Sequence, residues 1–250
     1  MNEIEKAKRP LLYIGGGVII AGAHGELFEL ANKLNCPVAH TLMGKGSFPE
    51  THPLSLGMLG MHGTWTANTA ISNADLIIAV GVRFDDRVTG NLDKFAVNSK
   101  IIHVDIDPAE IGKIVPVTIP IVGDSRNVLR SIIDSIASPP KTAEWLKTIE
   151  QWRAEHPLDY DRETSKLLPQ YIVEKIYELT RGEAIITTEV GQNQMWASQY
   201  YKIDRPRRFL SSGGLGTMGY GFPAAIGAQL GAPDELVIDI AGDGSFMMNI

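Results

Sequence analysis

The sequence predicts an α/β protein with doubly wound parallel sheets, arranged as two consecutive domains. Short apolar runs of strand length alternate with amphipathic stretches of helix length, and this alternation occurs in two separate blocks. Such alternation is typical of parallel sheets covered by helices. A charged stretch at residues 141–166, with a helix predicted over 144–155, separates the blocks. The predicted boundaries are 1–138 for the first domain, 139–168 for a linker and 169–250 for part of a second domain.

In the first block, five apolar runs have the length and composition of buried strands. They lie at residues 11–14, 37–41, 75–81, 100–105 and 119–122. A helix is predicted over residues 25–34 because its leucines recur on one face. A second helix is predicted after a cap at Asp124 or Ser125. Together these elements predict a Rossmann-like topology for the first domain.

The second block is shorter and richer in glycine. A helix over residues 171–180 leads to a strand over 184–188, and another strand is predicted over 236–240. Between these strands lie a helix predicted after Gln192 and an uncharged run over 211–233. The glycines at the start of that run favour a loop that feeds a buried helix.

Composition excludes several classes of function. The chain has 23 Lys and Arg against 29 Asp and Glu, a net charge of −6, which argues against a nucleic-acid-binding surface. Its single cysteine, Cys36, excludes an intrachain disulfide and a cysteine-based zinc cluster. The glycine-rich start of 211–233 argues against a membrane span, and residues 1–10 lack the apolar region of a secretory signal. We expect a cytoplasmic protein, or a plastid or mitochondrial one if a targeting segment precedes this sequence.

Two turns after predicted strands carry candidate binding residues. The three glycines at residues 15–17 allow either a close approach to a phosphate or tight strand–helix packing, and both interpretations stay open. Asp105 ends a strand, where a carboxylate can accept a hydrogen bond from a ribose hydroxyl. The alternative is that Asp107 caps a helix that begins at Pro108, and both interpretations can hold, since the two aspartates can have separate roles.

Two further loops combine charge, methionine and glycine. Residues 81–87 place two arginines and two aspartates within five positions, which suits an oriented cationic site for a phosphate or carboxylate. A solvated cluster of ion pairs is the alternative. Residues 57–63 contain His62 among methionines and glycines, and such a lone histidine is more often structural than catalytic.

The strongest local motif is the Gly-Asp-Gly sequence at residues 242–244, which follows a predicted strand. Its glycines let backbone groups approach a diphosphate, and Asp243 offers a hard oxygen ligand to Mg²⁺. A turn without a ligand is the alternative.

In combination, these motifs resemble the catalytic subunits of the acetolactate synthase (acetohydroxyacid synthase) family. These are thiamine-diphosphate enzymes of branched-chain amino-acid biosynthesis. The resemblance covers nearly the whole chain in family order, and it is carried by LGMHG at 59–63, RFDDR at 83–87, VGQNQMWA at 190–197, GLGTMG at 214–219 and GDGSF at 242–246. It implies a central FAD-binding domain followed by the first half of a thiamine-diphosphate-binding domain.

The resemblance also implies roles for individual residues. In the first domain, the cofactor-binding residues would be Gly15, Gly16, Met61, His62, Gly63, Gly81, Val82, Arg83, Arg87, Asp105, Ile106 and Asp124. In the second, they would be Val190, Gly191, Gln192, Asn193, Gly216, Met218, Gly242, Asp243, Gly244 and Ser245, with Asp243 binding Mg²⁺. Arg87 and Met218 are the implied catalytic residues. Arg87 would reach the carboxylate of the second substrate, and Met218 would lie beneath the thiazolium ring and keep the cofactor bent.

The implied reaction is the decarboxylation of pyruvate on thiamine diphosphate, followed by condensation of the two-carbon unit with pyruvate or 2-ketobutyrate. The products would be 2-acetolactate or 2-aceto-2-hydroxybutyrate, and FAD would be structural. The family also implies a homodimer or higher homo-oligomer and a regulatory small subunit.

The chain departs from the family pattern in two ways. Asn193 stands where many relatives have histidine, and because asparagine carries no titratable proton we assign it to binding only. The family's activating glutamate and second Mg²⁺ ligand have no counterpart in this sequence, so we expect an internal fragment that is inactive alone. The alternatives are another thiamine-diphosphate enzyme, such as pyruvate oxidase or glyoxylate carboligase, and a non-catalytic FAD- or nucleotide-binding module.

Overall fold

A computed structural model describes residues 2–250 and divides the chain into two compact units. Unit 1 comprises residues 2–48 and 52–158, and unit 2 comprises 49–51 and 159–250. The division therefore falls after Leu158 rather than at residue 138. The helix of the predicted linker belongs to unit 1, because Trp145 and Ile149 are buried in the core of that unit.

Unit 1 contains a six-stranded parallel sheet with the strand order β3-β2-β1-β4-β5-β6. Its strands are β1 Pro10–Ile14, β2 Val38–His40, β3 Ser55–Met58, β4 Leu76–Val80, β5 Lys100–Asp105 and β6 Ile119–Val122. Five of these strands were predicted, and the structure confirms them. Strand β3 was not predicted, because Gly57 interrupts its short apolar pattern. In the structure Gly57 has a φ of +80°. The order reverses between β1 and β4, and this reversal is where open α/β sheets bind ligands.

Alternate residues of the central strands face two different helical layers. The helices of unit 1 are α1 Asn2–Lys6, α2 Gly16–Ile20, α3 His24–Leu34, α4 Trp65–Asn73, α5 Asp86–Thr89, α6 Ser125–Ser135 and α7 Ala143–Glu155. Leu12 and Ile14 of β1 pack in the cluster that includes α3 and α6. Leu11 and Tyr13 pack in the cluster that includes α4 and α7. The doubly wound arrangement predicted from the alternation is thus confirmed.

Unit 2 contains a three-stranded parallel sheet with the order β8-β7-β9. Its strands are β7 Ile185–Thr188, β8 Phe209–Ser211 and β9 Val237–Ile240, and its helices are α8 Pro169–Thr180, α9 Gln192–Tyr200, α10 Gly221–Gly231 and α11 Asp243–Phe246. Strands β7 and β9 match the prediction, whereas β8 was not predicted, since only three residues pair with β7. Val173, Ile186 and Tyr201 are fully or almost fully buried in the core of this unit.

Helix α10 differs from the buried helix that was predicted for the glycine-rich run. Only Gly221 is buried in it, and the side chain of Leu230 is 79% exposed. The helix contacts the sheet on one side only, so its other apolar side chains face away from the core. No helix formed by residues 2–250 is long and apolar enough to cross a membrane.

Candidate functional site

The carboxyl ends of β7, β8 and β9 lie side by side, because the three strands are parallel and adjacent. Each strand continues into a loop that holds residues predicted to bind the cofactor, at 189–191, 212–220 and 241–242. Ligands of open parallel sheets bind at this edge. Hydrogen bonds between side chains and backbone join the three loops to one another.

Glu189, immediately after β7, is fully buried at the centre of these loops. One carboxylate oxygen accepts hydrogen bonds from the Ser245 hydroxyl at 2.6 Å and the Gly219 N–H at 2.8 Å. The other oxygen accepts from the N–H of Phe222 at 3.0 Å. Burial raises the pKa of this carboxyl, but the hydrogen bonds from Ser245 and the backbone outweigh burial and bring the pKa below its usual value. Glu189 is therefore a buried carboxylate that stays ionised.

Asn193 joins the ends of two strands. Its side-chain amide donates to the carbonyl oxygen of Glu189 at 3.1 Å and to that of Ile240 at 2.7 Å. Both of its side-chain N–H groups are thereby used inside the protein, so in this arrangement neither can donate to a phosphate oxygen. The assignment of Asn193 to cofactor binding stays a prediction, and the contacts observed for it are structural.

The loop after β7 needs glycine at position 191. Gly191 has a φ of +146°, and a Cβ atom there would lie 2.9 Å from Oδ1 of Asn193. Helix α9 begins directly afterwards at Gln192, with Gly191 as its N-cap. The turn therefore leaves Gly191 exposed at the edge of the sheet.

The loop after β8 carries Gly216 and Met218. Gly216 has a φ of +66°, and the Ser212 hydroxyl accepts the N–H of Thr217 at 2.9 Å. The Met218 side chain is 41% exposed, although apolar side chains of this size are usually buried. Gly219, which follows it, donates its N–H to Glu189, and its carbonyl oxygen accepts a hydrogen bond from the Asn249 side-chain amide at 2.7 Å.

The Gly-Asp-Gly motif follows β9, with Gly242 as the N-cap of α11 and Asp243 as its first residue. Asp243 is exposed, and its carboxylate has no hydrogen-bond or ion-pair partner within residues 2–250. Nothing lies within 4 Å of the position a Cβ would take on Gly244. Ser245, in contrast, is buried, and its hydroxyl is used by Glu189. No group of three or more metal-ligating side chains occurs in the described part of the chain, so Asp243 offers a single ligand.

In unit 1, the loops after β1 and β4 meet at the point where the strand order reverses. Gly15 and Gly17 pack directly against the backbone of Gly81, whose φ is +60°. Gly16 approaches Met43, with a Cβ position 3.3 Å from that side chain. The packing interpretation of these glycines is therefore seen in the structure, while their contact with a cofactor stays a prediction.

The loop after β4 presents one paired and one unpaired arginine. Arg83 forms an ion pair with Asp85, and Asp85 also caps α5 by accepting the Arg87 N–H at 2.9 Å. The Arg87 guanidinium is exposed and has no ion-pair partner among residues 2–250. Phe84 has a φ of +53° and a buried ring that contacts Tyr13, Phe95 and His103, which anchors the loop. Val82 is buried beside it and accepts the His103 Nε2 hydrogen bond at 2.8 Å.

Other predicted residues of unit 1 lie on neighbouring loops. The Met61 N–H donates to the Arg87 carbonyl oxygen at 2.8 Å, which brings residues 60–63 next to the arginine loop. Met61 is 62% exposed, and His62 is also exposed. A Cβ atom on Gly63 would clash with the Met58 carbonyl oxygen, so this position accommodates only glycine.

The strand-end aspartates form turns. Asp105 accepts the Asp107 N–H and Asp107 accepts the Ala109 N–H, both at 2.9 Å. The helix at Pro108 that was considered as the alternative does not form in this described segment, because these bonds close two consecutive turns instead. Ile106 is 69% exposed, and Asp124 caps α6 through the Asn127 N–H at 3.1 Å, as one of the two predicted caps.

Sequence reasoning missed Glu189 and Phe84. The only available signal for Glu189 was a charged residue directly after an uncharged strand. Nothing in the local sequence indicates that its hydrogen-bond donors lie 30 and 56 residues further along the chain. Phe84 was quoted within its motif, but its left-handed backbone and buried ring depend on packing partners from other strands.

Comparisons with known proteins agree with this arrangement. The family model for the central domain of thiamine pyrophosphate enzymes matches residues 1–132, and the model for their C-terminal TPP binding domain matches residues 189–250. The acetolactate synthase isozyme 3 large subunit of Escherichia coli (strain K12) is 50% identical over 256 residues, which cover 100% of this chain and 45% of that protein. The large subunit of Haemophilus influenzae is 48% identical over 249 residues, covering 98% and 44%.

A probable acetolactate synthase large subunit of Methanocaldococcus jannaschii is 52% identical over 254 residues, which cover 98% of this chain and 43% of that protein. The chain thus spans less than half the length of these relatives. The resemblance predicted from the motifs is confirmed.

Proposed function

This chain belongs to the thiamine pyrophosphate enzyme family, and from that premise we propose that it is part of an acetolactate synthase catalytic subunit. The enzyme decarboxylates pyruvate and joins the remaining two-carbon unit to pyruvate or 2-ketobutyrate. The observation that carries this proposal is the meeting of three loops at the carboxyl edge of the unit 2 sheet, with a free carboxylate at Asp243.

The residues of this edge fit a magnesium diphosphate. Gly191 leaves backbone exposed after β7, and the exposed Asp243 carboxylate is a hard oxygen donor without a protein partner in the described chain. Val190, Gly191, Gln192 and Gly242 would hold the diphosphate, and Asp243 would bind Mg²⁺. When bound, thiamine diphosphate acts as an electron sink: it accepts the electron pair of the carbon–carbon bond that breaks as carbon dioxide leaves.

The exposed apolar side chain of Met218 suits contact with the thiazolium ring of the same cofactor. An exposed methionine beside a glycine turn can pack against a ring without requiring a hydrogen bond. In the proposed enzyme, Met218 would support the thiazolium ring, and the positive φ of Gly216 lets the loop turn beside it. Met218 would thereby position the cofactor and exclude water from it.

In unit 1, the geometry suits FAD and a carboxylate substrate. Arg83, held by Asp85, and the backbone at Gly81 and Val82 would contact the flavin nucleotide, with Asp105 directed toward a ribose hydroxyl. Arg87 has a guanidinium without an ion-pair partner in the described residues, and a guanidinium binds carboxylates through two parallel hydrogen bonds. Arg87 would orient the second 2-ketoacid by its carboxylate.

Product analysis of the intact subunit tests the proposed reaction. The purified protein is incubated in air with pyruvate, inorganic phosphate, thiamine diphosphate, Mg²⁺ and FAD, and the products are identified by nuclear magnetic resonance. We expect 2-acetolactate, and 2-aceto-2-hydroxybutyrate when 2-ketobutyrate is added. Acetyl phosphate would indicate a pyruvate oxidase, and acetaldehyde alone would indicate a simple decarboxylase; either result would overturn the proposal. The visible absorption spectrum of the same sample tests for bound flavin.

The proposed assembly follows from the family. A homodimer or higher homo-oligomer, a regulatory small subunit and a cytoplasmic location are all part of the proposal. Size-exclusion chromatography with light scattering tests the oligomeric state. Co-purification of the tagged catalytic chain from its own cells tests the small subunit.

A further inference from the structure

Two carboxylates of unit 2 lie in or directly after neighbouring strands, a fully buried one at Glu189 and a half-buried one at Asp239, and they differ in their hydrogen-bond partners. Glu189 follows β7 and accepts from Ser245, Gly219 and Phe222. Asp239 in β9 accepts only from the Thr187 hydroxyl at 2.8 Å, and its second oxygen is buried without a partner in the described chain. Glu189 has three hydrogen-bond donors, and a carboxylate with three donors organises the elements that donate to it.

The donors to Glu189 come from two segments that carry proposed cofactor-binding residues. Gly219 directly follows Met218, and Ser245 lies two positions after Asp243 in the same short helix. Gly219 is shared, because its N–H also lies 3.2 Å from the Ser245 hydroxyl oxygen. The Glu189 side chain therefore connects the end of β7 to the turn that contains Met218 and to helix α11, which begins at Asp243.

We propose that Glu189 is a positioning residue, which holds Met218 and Asp243 in the arrangement that Mg²⁺ and the diphosphate of the cofactor require. The proposal rests on the proposed thiamine-diphosphate function. Glu189 is fully buried, so it acts through these two segments and does not touch the ligand. Without its charge, the two backbone N–H groups lose a charged acceptor, and the loops separate from the strand end.

A purely structural role would have a different consequence. If Glu189 only stabilised unit 2, its replacement would lower the melting temperature but leave the metal affinity of the folded molecules unchanged. A positioning role predicts that metal affinity falls in molecules that remain folded. The two possibilities are therefore separated by measuring both quantities on the same variants.

The matched variants are Glu189→Gln and Asp239→Asn, each of which replaces a carboxylate by the amide of similar size, at a fully buried position and a half-buried position respectively. Calorimetric titration of Mg²⁺ into the intact subunit with excess thiamine diphosphate measures the affinity, below the melting temperature of every variant. We expect a loss of at least about tenfold for Glu189→Gln, since charged hydrogen bonds are lost, and less than about threefold for Asp239→Asn. Equal affinity of wild type and a folded Glu189→Gln variant would overturn the proposal.

Hydrogen exchange supplies a readout that needs no ligand. The amides of Gly219 and Phe222 should exchange faster in Glu189→Gln and at the wild-type rate in Asp239→Asn. Unchanged protection of both amides in Glu189→Gln would also contradict the positioning role. If wild type shows this protection but binds no thiamine diphosphate, the proposed function fails, while unchanged exchange in Glu189→Gln would separately show that Glu189 does not hold these loops.

A second variant covers the case in which Glu189→Gln does not fold. Glu189→Asp keeps the charge but shortens the side chain by one methylene, so one carboxylate cannot reach both Ser245 and Phe222. We expect weaker Mg²⁺ binding and faster exchange at whichever of these segments is released. Wild-type values for both measurements in Glu189→Asp would overturn the proposal.

Discussion

Gly17 donates its backbone N–H to the carbonyl oxygen of Gly81 at 3.2 Å, and the two glycines pack backbone against backbone. A Cβ atom on Gly17 would lie 2.6 Å from the Cα of Gly81. This contact joins the loops after β1 and β4, where the strand order of unit 1 reverses. The position of the loop at residues 81–87, which carries Arg83 and Arg87, therefore depends in part on the absence of a side chain at Gly17.

The first prediction concerns this glycine contact. Gly17→Ala should destabilise the protein by about 1–3 kcal/mol, because the added methyl group has to displace backbone atoms rather than a flexible side chain. Gly25→Ala is the matched control, since it lies in α3 with nothing within 4 Å of its Cβ position. It should be neutral or stabilising by up to about 1 kcal/mol. Urea unfolding measures both, and equal effects would contradict the packing argument.

Cys36 should be chemically inert in the folded protein. The residue is fully buried, and burial raises the pKa of its thiol well above the usual value, so almost no thiolate forms at neutral pH. A chromogenic thiol reagent should label no group in native protein and one group after denaturation, as Cys36 is the single cysteine. Rapid labelling under native conditions would show that this part of the core opens readily.

Two buried tyrosines should respond differently to loss of their hydroxyl groups. The Tyr13 hydroxyl is buried without a hydrogen-bond partner in the described residues, so Tyr13→Phe should change stability by less than about 0.5 kcal/mol or increase it. The Tyr201 hydroxyl lies 2.7 Å from the Thr180 hydroxyl, and Tyr201→Phe should cost about 0.5–1.5 kcal/mol. Urea denaturation of the two variants compares them, and a larger cost for Tyr13→Phe would refute the assignment.

The metal ligand can be tested with a variant of closely similar local structure. Asp243→Asn should weaken Mg²⁺ binding in the presence of thiamine diphosphate by about 10–100-fold or more, because the only charged oxygen ligand offered by the motif is lost. Asp86→Asn is the control, since Asp86 is also exposed and also begins a four-residue helix, α5 in unit 1. Calorimetry should show wild-type binding for that control. Unchanged binding in Asp243→Asn would remove this residue from the proposed site.

The ionisation of Glu189 predicts a pH dependence of stability. Its pKa is lower in the folded protein than its usual value, so its charge contributes stability above the usual glutamate range. That contribution is lost as the pH falls through the folded pKa. Between about pH 6 and pH 3, a range that brackets the usual pKa of a carboxyl group, the melting temperature of wild type should therefore decrease more than that of Glu189→Gln. Parallel curves for the two proteins would contradict the assignment.

Much of the architecture could be predicted from local patterns. Strands β1 and β4 were recognisable because strands buried on both faces are continuously apolar, and β5 was recognisable by its isoleucines and valine. Strand β8 escaped prediction because it is short and only half-buried, and β3 because a glycine breaks its pattern. Helix α4 was also missed, since it packs through small residues such as Ala67 and Ala70 rather than through leucines.

The candidate site was predictable as a set of motifs but not as an arrangement. The Gly-Asp-Gly sequence at 242–244 predicted an available carboxylate, and Asp243 is exposed and unpaired within the described chain. Asn193 was assigned to binding from the family resemblance, and that assignment stays a prediction; in the structure both of its side-chain N–H groups join strand ends. Local sequence states which groups a side chain offers, whereas the neighbours that use those groups come from distant segments.

The order of apolar and polar residues was sufficient to establish the α/β class, the main strands of both sheets and the family resemblance, because these depend on periodicity and on contiguous motifs. Tertiary structure alone decided that Glu189 joins the Met218 turn to the Asp243 helix, and that Gly17 packs on Gly81. Such contacts connect residues tens of positions apart, and they form only when parallel strands bring their carboxyl ends to one edge of a sheet.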